Sequence, residues 1–289
     1  MDYSNISELV NSSINSLYTS LIKSFDSQAF SVLDDITFIN SSIINNKYFS
    51  SFLDYHSNSI IYIVNSFLVA FLIYYIILYF SSRFSGNSVE NPIHFLLKLT
   101  VCTICVNFSY FICEQIINIF AILTTIIREY TFSIFSLNIS FSYLSEQLIK
   151  LYAIDQNTLF FSFNSLINLF INFGCFNLLF TYSYRYILIK LLILLSPFFI
   201  LSSCLNSTKW LFKMWIKNFL SLLSIQIVVA IIMMIILSIK YSFSDETVKI
   251  LYIGALYALM KASSFIKDFS SGFTTDISTG ISNIKNTLT

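Results

Sequence analysis

Long stretches of chain without a single charge constrain this sequence more than any motif does. Residues 59–80 run for 22 positions without Asp, Glu, Lys or Arg, residues 158–184 for 27 and residues 218–239 for 22. A helix needs about 20 apolar residues to cross a hydrocarbon core of roughly 30 Å. Each of these runs is therefore long enough to span a bilayer. Residues 92–127 form a fourth, longer run, interrupted only by His94, Lys98 and Glu114. As one helix it would reach about 54 Å at 1.5 Å per residue, so it is expected to project beyond the lipid. Residues 250–266 make a weaker fifth span, with Lys261 and Lys267 placed to snorkel at one end. Composition agrees. Only 11% of the 289 residues are charged, against roughly 25% in soluble domains. The expected fold is all-α and polytopic, an integral membrane protein of about five transmembrane helices. Their expected positions are near 59–80, 93–123, 158–184, 218–239 and 250–266.

Residues 191–205, LLILLSPFFILSSCL, are apolar but number only 15, with Pro197 in the middle. That length fits a re-entrant or interfacial segment. Charge then sets an expected orientation. With five spans and residues 191–205 returning to the side they left, one side carries Arg83, Lys98, Arg185, Lys190, Lys209, Lys213, Lys217, Lys261, Lys267 and Lys285. Its net charge is +7, and the other side sums to −6. The positive-inside rule makes the first side cytoplasmic. This places residues 1–58 outside as an extracytoplasmic amphipathic region and residues 267–289 in the cytoplasm as a tail.

Within residues 1–58, Ile6, Leu9, Val10, Ile14, Leu17, Leu21 and Phe25 recur at three- and four-residue steps, which predicts an amphipathic helix. Its polar face is rich in Ser and Asn, so it suits a lipid surface or a protein partner equally. Asp2, Glu8 and the lack of a continuous apolar stretch in the first 30 residues argue against a secretory signal peptide. Phe141, Leu144, Leu148, Ile149 and Tyr152 predict a second short amphipathic helix on the outer side. Lys209, Lys213 and Lys217 share one helix face at i, i+4, i+8, with Leu211, Met214 and Trp215 roughly opposite and Trp210 in the same segment. That is the pattern of a cytoplasmic interfacial or docking helix, with ammonium groups toward anionic lipid or an acidic partner and tryptophan at headgroup level.

Three features within the spans are candidates for polar chemistry. Asn164, Asn168 and Asn172 form an i, i+4, i+8 stripe, which serves either as interhelical glue or as the lining of a conduit. Glu114 is an acid within an apolar run, and such a group is a functional candidate by default. Cys102-x-x-Cys105 has a redox spacing, but it lies in an apolar helical run and reads as structural. The sequence holds no P-loop, and two histidines, His56 and His94, cannot make H-E-x-x-H. No catalytic residue, cofactor site or metal site is expected, and an enzyme is not the expected reading.

One segment carries a resemblance. Arg185 at the end of a span, an apolar run reaching Ser196-Pro197, a polar break with Thr208, Phe212 and Trp215, and a long apolar helix containing Gln226 follow in order. Residues 182–237 in this order resemble the TrbL-type (VirB-type) polytopic inner-membrane subunits of type IV secretion and conjugal transfer systems. The resemblance implies a homo-oligomeric channel or scaffold subunit in a bacterial cytoplasmic membrane, N-terminus outside and C-terminus inside. It implies as partners the cytoplasmic ATPases of the machine, its pilus or stalk components and its bitopic membrane proteins, besides the lipid bilayer. It also implies transient contact with translocated DNA or protein. Arg185, Pro197, Trp215 and Gln226 are the family-motif positions. A secondary transporter or transporter permease is the alternative. It calls for broken helices and internal repeats, and no repeat is visible.

Overall fold

The computed structural model describes residues 28–45, 59–85, 91–144, 163–205, 207–242 and 250–266, with single positions at 13, 16, 49 and 248. Among the described residues every regular element is a helix. They are α1 (Gln28–Thr37), α2 (Ile60–Ser85), α3 (Pro92–Asn107), α4 (Ser109–Phe135), α5 (Phe163–Leu194), α6 (Ser196–Ser202), α7 (Lys209–Ser242) and α8 (Ile250–Ile266). Four of them carry windows long and apolar enough to cross a membrane: Ile60–Phe84, Ser109–Phe135, Phe176–Leu194 and Lys209–Ile239. The chain is an all-α, polytopic membrane protein. Exposed side chains on α2 say the same. Tyr62, Ile63, Val69 and Ile77 are each between 48% and 62% accessible, a density of apolar surface that water does not tolerate and lipid requires.

Helix boundaries follow local chemistry. Pro92 opens α3 because the first turn needs no N–H from it, and the Asn91 side chain accepts the Ile93 N–H at 3.1 Å. The run expected as one helix over 92–127 divides at Phe108 into α3 and α4. The seam is slight, because the Phe108 N–H still donates to Ile104 and the Ile112 N–H to Phe108. Ser136 ends α4 in the left-handed region, at φ 54°, its N–H closing on the Phe132 carbonyl at 2.8 Å. That is the usual way a helix terminates. The span expected to end at 184 instead continues unbroken to Leu194. It stops there because Pro197 has no N–H to give and crowds the preceding turn. Residues 191–205 are the end of α5, a break at Leu195 and the seven-residue α6. Thr208 then starts α7, its hydroxyl reaching back to the Ser202 carbonyl at 2.7 Å. The three lysines expected on a separate interfacial helix lie in the first turns of this continuous 34-residue helix.

The chain forms two compact units. The first holds α1, residues 122–186, the second half of α7 and α8; the second holds residues 39–121 and 187–223. In the second unit α2, α3 and α6 pack on one another. Tyr75 of α2 stacks on Phe95 of α3 with ring centroids 3.8 Å apart, and Phe67 meets Phe198 edge-on at 6.3 Å. Asn65 and Asn107 exchange side-chain amide hydrogen bonds at 3.1 and 3.4 Å. In the first unit α5 and α8 approach closely at Gly174, where an added Cβ would collide with the Leu256 side chain. A small residue at a membrane helix crossing lets the backbones close in.

Gly174 and Gly254 should therefore respond oppositely to substitution. Gly174→Leu is expected to lower the melting temperature in detergent sharply, whereas Gly174→Ala is milder, since only the tip of Leu256 has to turn. Gly254 faces open space, so Gly254→Ala should be neutral or raise stability by up to about 1 kcal/mol, the helix-propensity difference. Equal losses at both positions would contradict the packing.

Candidate functional site

Two polar constellations lie within the units, one in each. In the first unit the last turn of α1 is held by side chains from elsewhere in the chain. A helix leaves its final carbonyls without intrahelical donors. Here the Arg185 guanidinium of α5 donates through Nη1 to the carbonyl of Thr37, the final residue of α1, at 3.0 Å. Arg185 is 2% exposed and Thr37 0%. A cation at a helix C-terminus also meets the negative end of the helix dipole. One turn earlier on α5, the Tyr182 hydroxyl donates to the Leu259 carbonyl of α8 at 2.9 Å. Its ring lies 6.0 Å from Phe141, which in turn lies 6.3 Å from Phe38. The Arg128 guanidinium sits over the Phe38 ring at 4.9 Å.

Asp34 completes this cluster. Its carboxylate accepts the Phe141 N–H at 2.8 Å and the Ser142 hydroxyl at 3.5 Å. The turn at 141–144 thus starts with two caps, Asp34 from α1 and the Ser140 hydroxyl, which accepts the Tyr143 N–H at 3.1 Å. Burial pushes the Asp34 carboxyl above its ordinary value. The backbone N–H groups of Phe141 and Ser142 and the charge of Arg128 pull the other way and are outweighed.

In the second unit α6 and the start of α7 enclose an aromatic core. Trp215 is 2% exposed and stacks on Phe219 and Phe199 at centroid distances of 5.6 and 6.1 Å. Its indole N–H donates to the Leu192 carbonyl at 3.0 Å, in the last turn of α5, where the Pro197 break leaves carbonyls in need of donors. Beside it an open cleft of about 400 Å³ runs between α3, α6 and α7. Leu97, Lys98, Val101, Ser203 and Phe212 line it. The thiols of Cys102, Cys105 and Cys204 reach it as well. None of the three is in a disulfide, nor is Cys113. The Cys102 thiol points to the Ile200 carbonyl at 3.6 Å. Among the described residues no group of three or more His, Cys, Asp or Glu is placed to hold a metal.

These positions correct parts of the sequence reading. Trp215 was expected at headgroup level, yet it is a core residue; Trp210, at 59% exposure, is the exposed one of the pair. Lys209 and Lys213 are exposed and Lys217 is half-buried. Arg185 and residues 1–58 were expected on opposite sides of the bilayer. The Arg185–Thr37 hydrogen bond puts them side by side, and Lys190 Nζ likewise sits over the Phe49 ring at 5.2 Å.

Pro197 and Gln226 are buried, as is Arg185. Glu114 is half-buried in the second turn of α4. Asn164, Asn168 and Asn172 lie on α5, but their side chains are outside the described residues. So do Ile6 to Phe25 and Leu148 to Tyr152 of the two expected amphipathic helices; Phe141 and Leu144 of the second are buried. Sequence reasoning missed the Asp34 cap and the Asn65–Asn107 pair. Polar residues isolated in apolar stretches were the available signal for the second.

Substitutions at the α1 clamp give two predictions. Asp34→Ala strands the Phe141 N–H and should cost about 1–3 kcal/mol, while Asp34→Asn retains an acceptor and costs less. Because the folded carboxyl binds its proton more tightly than the unfolded one, the wild type should lose stability relative to Asp34→Asn as pH rises from 3.8 through the raised value, and no further above it. Melting curves of the two proteins against pH check the sign. Arg185→Ala should release α1, so that a Leu33→Cys reporter, at a site 1% exposed, reacts with maleimide many times faster than in the Arg185 parent. Unchanged protection would refute the clamp.

No family model matches this chain, and neither a curated protein nor a solved structure resembles it.

Proposed function

We propose that this chain is a channel or scaffold subunit of a type IV secretion machine, working as a homo-oligomer in the bacterial cytoplasmic membrane. The observation that carries the reading is where the family-motif positions fall. Arg185, Pro197, Trp215 and Gln226 are all buried. Arg185 clamps α1 to α5, Pro197 follows the break between α5 and α6, and Trp215 ties α7 back to α5. Residues that shape a scaffold, and not residues that carry out chemistry, are what a motif in a passive platform preserves.

Two further features support the reading. At 32 and 34 residues, α5 and α7 reach about 48 and 51 Å, more than the hydrocarbon requires, which suits a subunit that meets partners beyond the lipid. Within the second unit, exposed Lys209 and Lys213 begin α7, whose Phe212 lines the same cleft as Lys98 of α3. This basic end is the surface we assign to the cytoplasm and to the ATPases, with the N-terminus outside and the C-terminus inside. Pilus or stalk components and bitopic subunits would engage the outer part, and translocated DNA or protein would pass transiently. The helix breaks at Phe108 and Leu195 are the features that favour a secondary transporter instead.

Deleting the gene should abolish conjugation or effector secretion with growth unchanged, and purified protein in liposomes should take up no solute. A Lys213→Cys variant should be labelled by an impermeant maleimide only from the cytoplasmic side. Normal transfer in the deletion strain would overturn the function, and labelling from outside would overturn the orientation.

A further inference from the structure

The cleft of the second unit has the shape and chemistry of a lipid site. Its walls are apolar side chains of α3, α6 and α7, and it encloses about 400 Å³, within the size range of small-molecule sites. Along α3 it runs from Leu97 to Cys105, about 12 Å at 1.5 Å per residue. Its outer lip is lipid-facing: Leu97 and Val101 are each 60% exposed, so hydrocarbon has direct access. Among the described residues Lys98 is the charged side chain that lines the cleft and Ser203 a neutral polar one; exposed His94 lies one helical turn before Lys98, and exposed Lys209 and Lys213 flank the lining residue Phe212 on α7. Among the described residues no carboxylate lines the cleft, and Glu114 is the one acid of this unit.

We infer that the cleft holds an acyl chain of an anionic phospholipid, whose headgroup phosphate lies against Lys98 and the start of α7. A largely apolar slot lined by Lys98 and, among the described residues, by no acid complements a molecule with a negative head and a hydrocarbon tail. A transmembrane peptide would match the walls but would place no charge against Lys98. This assignment stands on the cleft alone and does not depend on the secretion reading.

The test uses the full chain in nanodiscs of equimolar phosphatidylglycerol and phosphatidylcholine. Either lipid carries a photoactivatable acyl chain, and labelled peptides are mapped by mass spectrometry. Phosphatidylglycerol should label residues 97–105 and 200–216 in preference to phosphatidylcholine. Lys98→Gln should cut that preference about five-fold, matching the ~1 kcal/mol that one basic side chain contributes against an anionic lipid. Val101→Trp, at an exposed position where a larger side chain leaves the fold intact, should block labelling with no change in melting temperature. Equal labelling by both lipids, or labelling indifferent to Val101→Trp, would overturn the inference. So would a Cys105–Cys105 disulfide between two copies on mild oxidation with the lipid label absent, because the face would then be a protein interface.

Discussion

A guanidinium cut off from water must find acceptors inside the protein, and much of the first unit is arranged around that need. Arg185 is among the largest fully buried side chains of the chain. Unpaired, such a group would cost several kcal/mol. Its acceptor is a carbonyl that α1 cannot satisfy by itself. Nη1 and that carbonyl satisfy one another only when α1 ends where it does, and only when α5 continues past Tyr184 to present the side chain. The Phe38, Phe141 and Tyr182 rings then pack around the junction, and Asp34 fixes the chain at 141–144. A hydrogen bond between membrane helices contributes about 0.6 kcal/mol on average. The value of this one lies in specificity: it sets which turn of α1 meets which turn of α5.

The second unit solves a comparable problem with aromatic rings. Pro197 interrupts a helix inside an apolar environment, where no water can replace the missing donors. Trp215 supplies one N–H to that region, and its ring is sandwiched so that the donor stays aimed. The same break leaves α6 short, and α6 forms one wall of the cleft. Clamp and aromatic core thus share a logic: a helix terminus that a soluble protein would leave to solvent is satisfied by one long side chain from a neighbour.

The membrane class and the existence of the spans were legible because uncharged length is a one-dimensional property, readable without knowing any contact. Residues 250–266 form a shorter apolar helix. What the sequence hid were cases in which a polar group acts at a distance. Arg185 and Lys190 looked like the end of a span, since a charge after 27 uncharged residues normally marks water. Their partners, Thr37 and Phe49, lie more than 140 positions away in the chain. Trp215 looked like a headgroup anchor because lysines flank it. The competing signal was Phe212 and Phe219 at i−3 and i+4, a stripe that marks a packed face. Both errors have one origin: a side chain that is amphipathic by atom reads as interfacial until its partner is known.

The unbroken course of α7 has a mechanical consequence. From Lys209 to Ser242 its backbone carries no proline and no glycine, so it contains no joint at which strain could dissipate. A pull or twist applied to its lysine-bearing start meets no hinge of its own, and the helix can yield only by the gentle curvature open to any long helix.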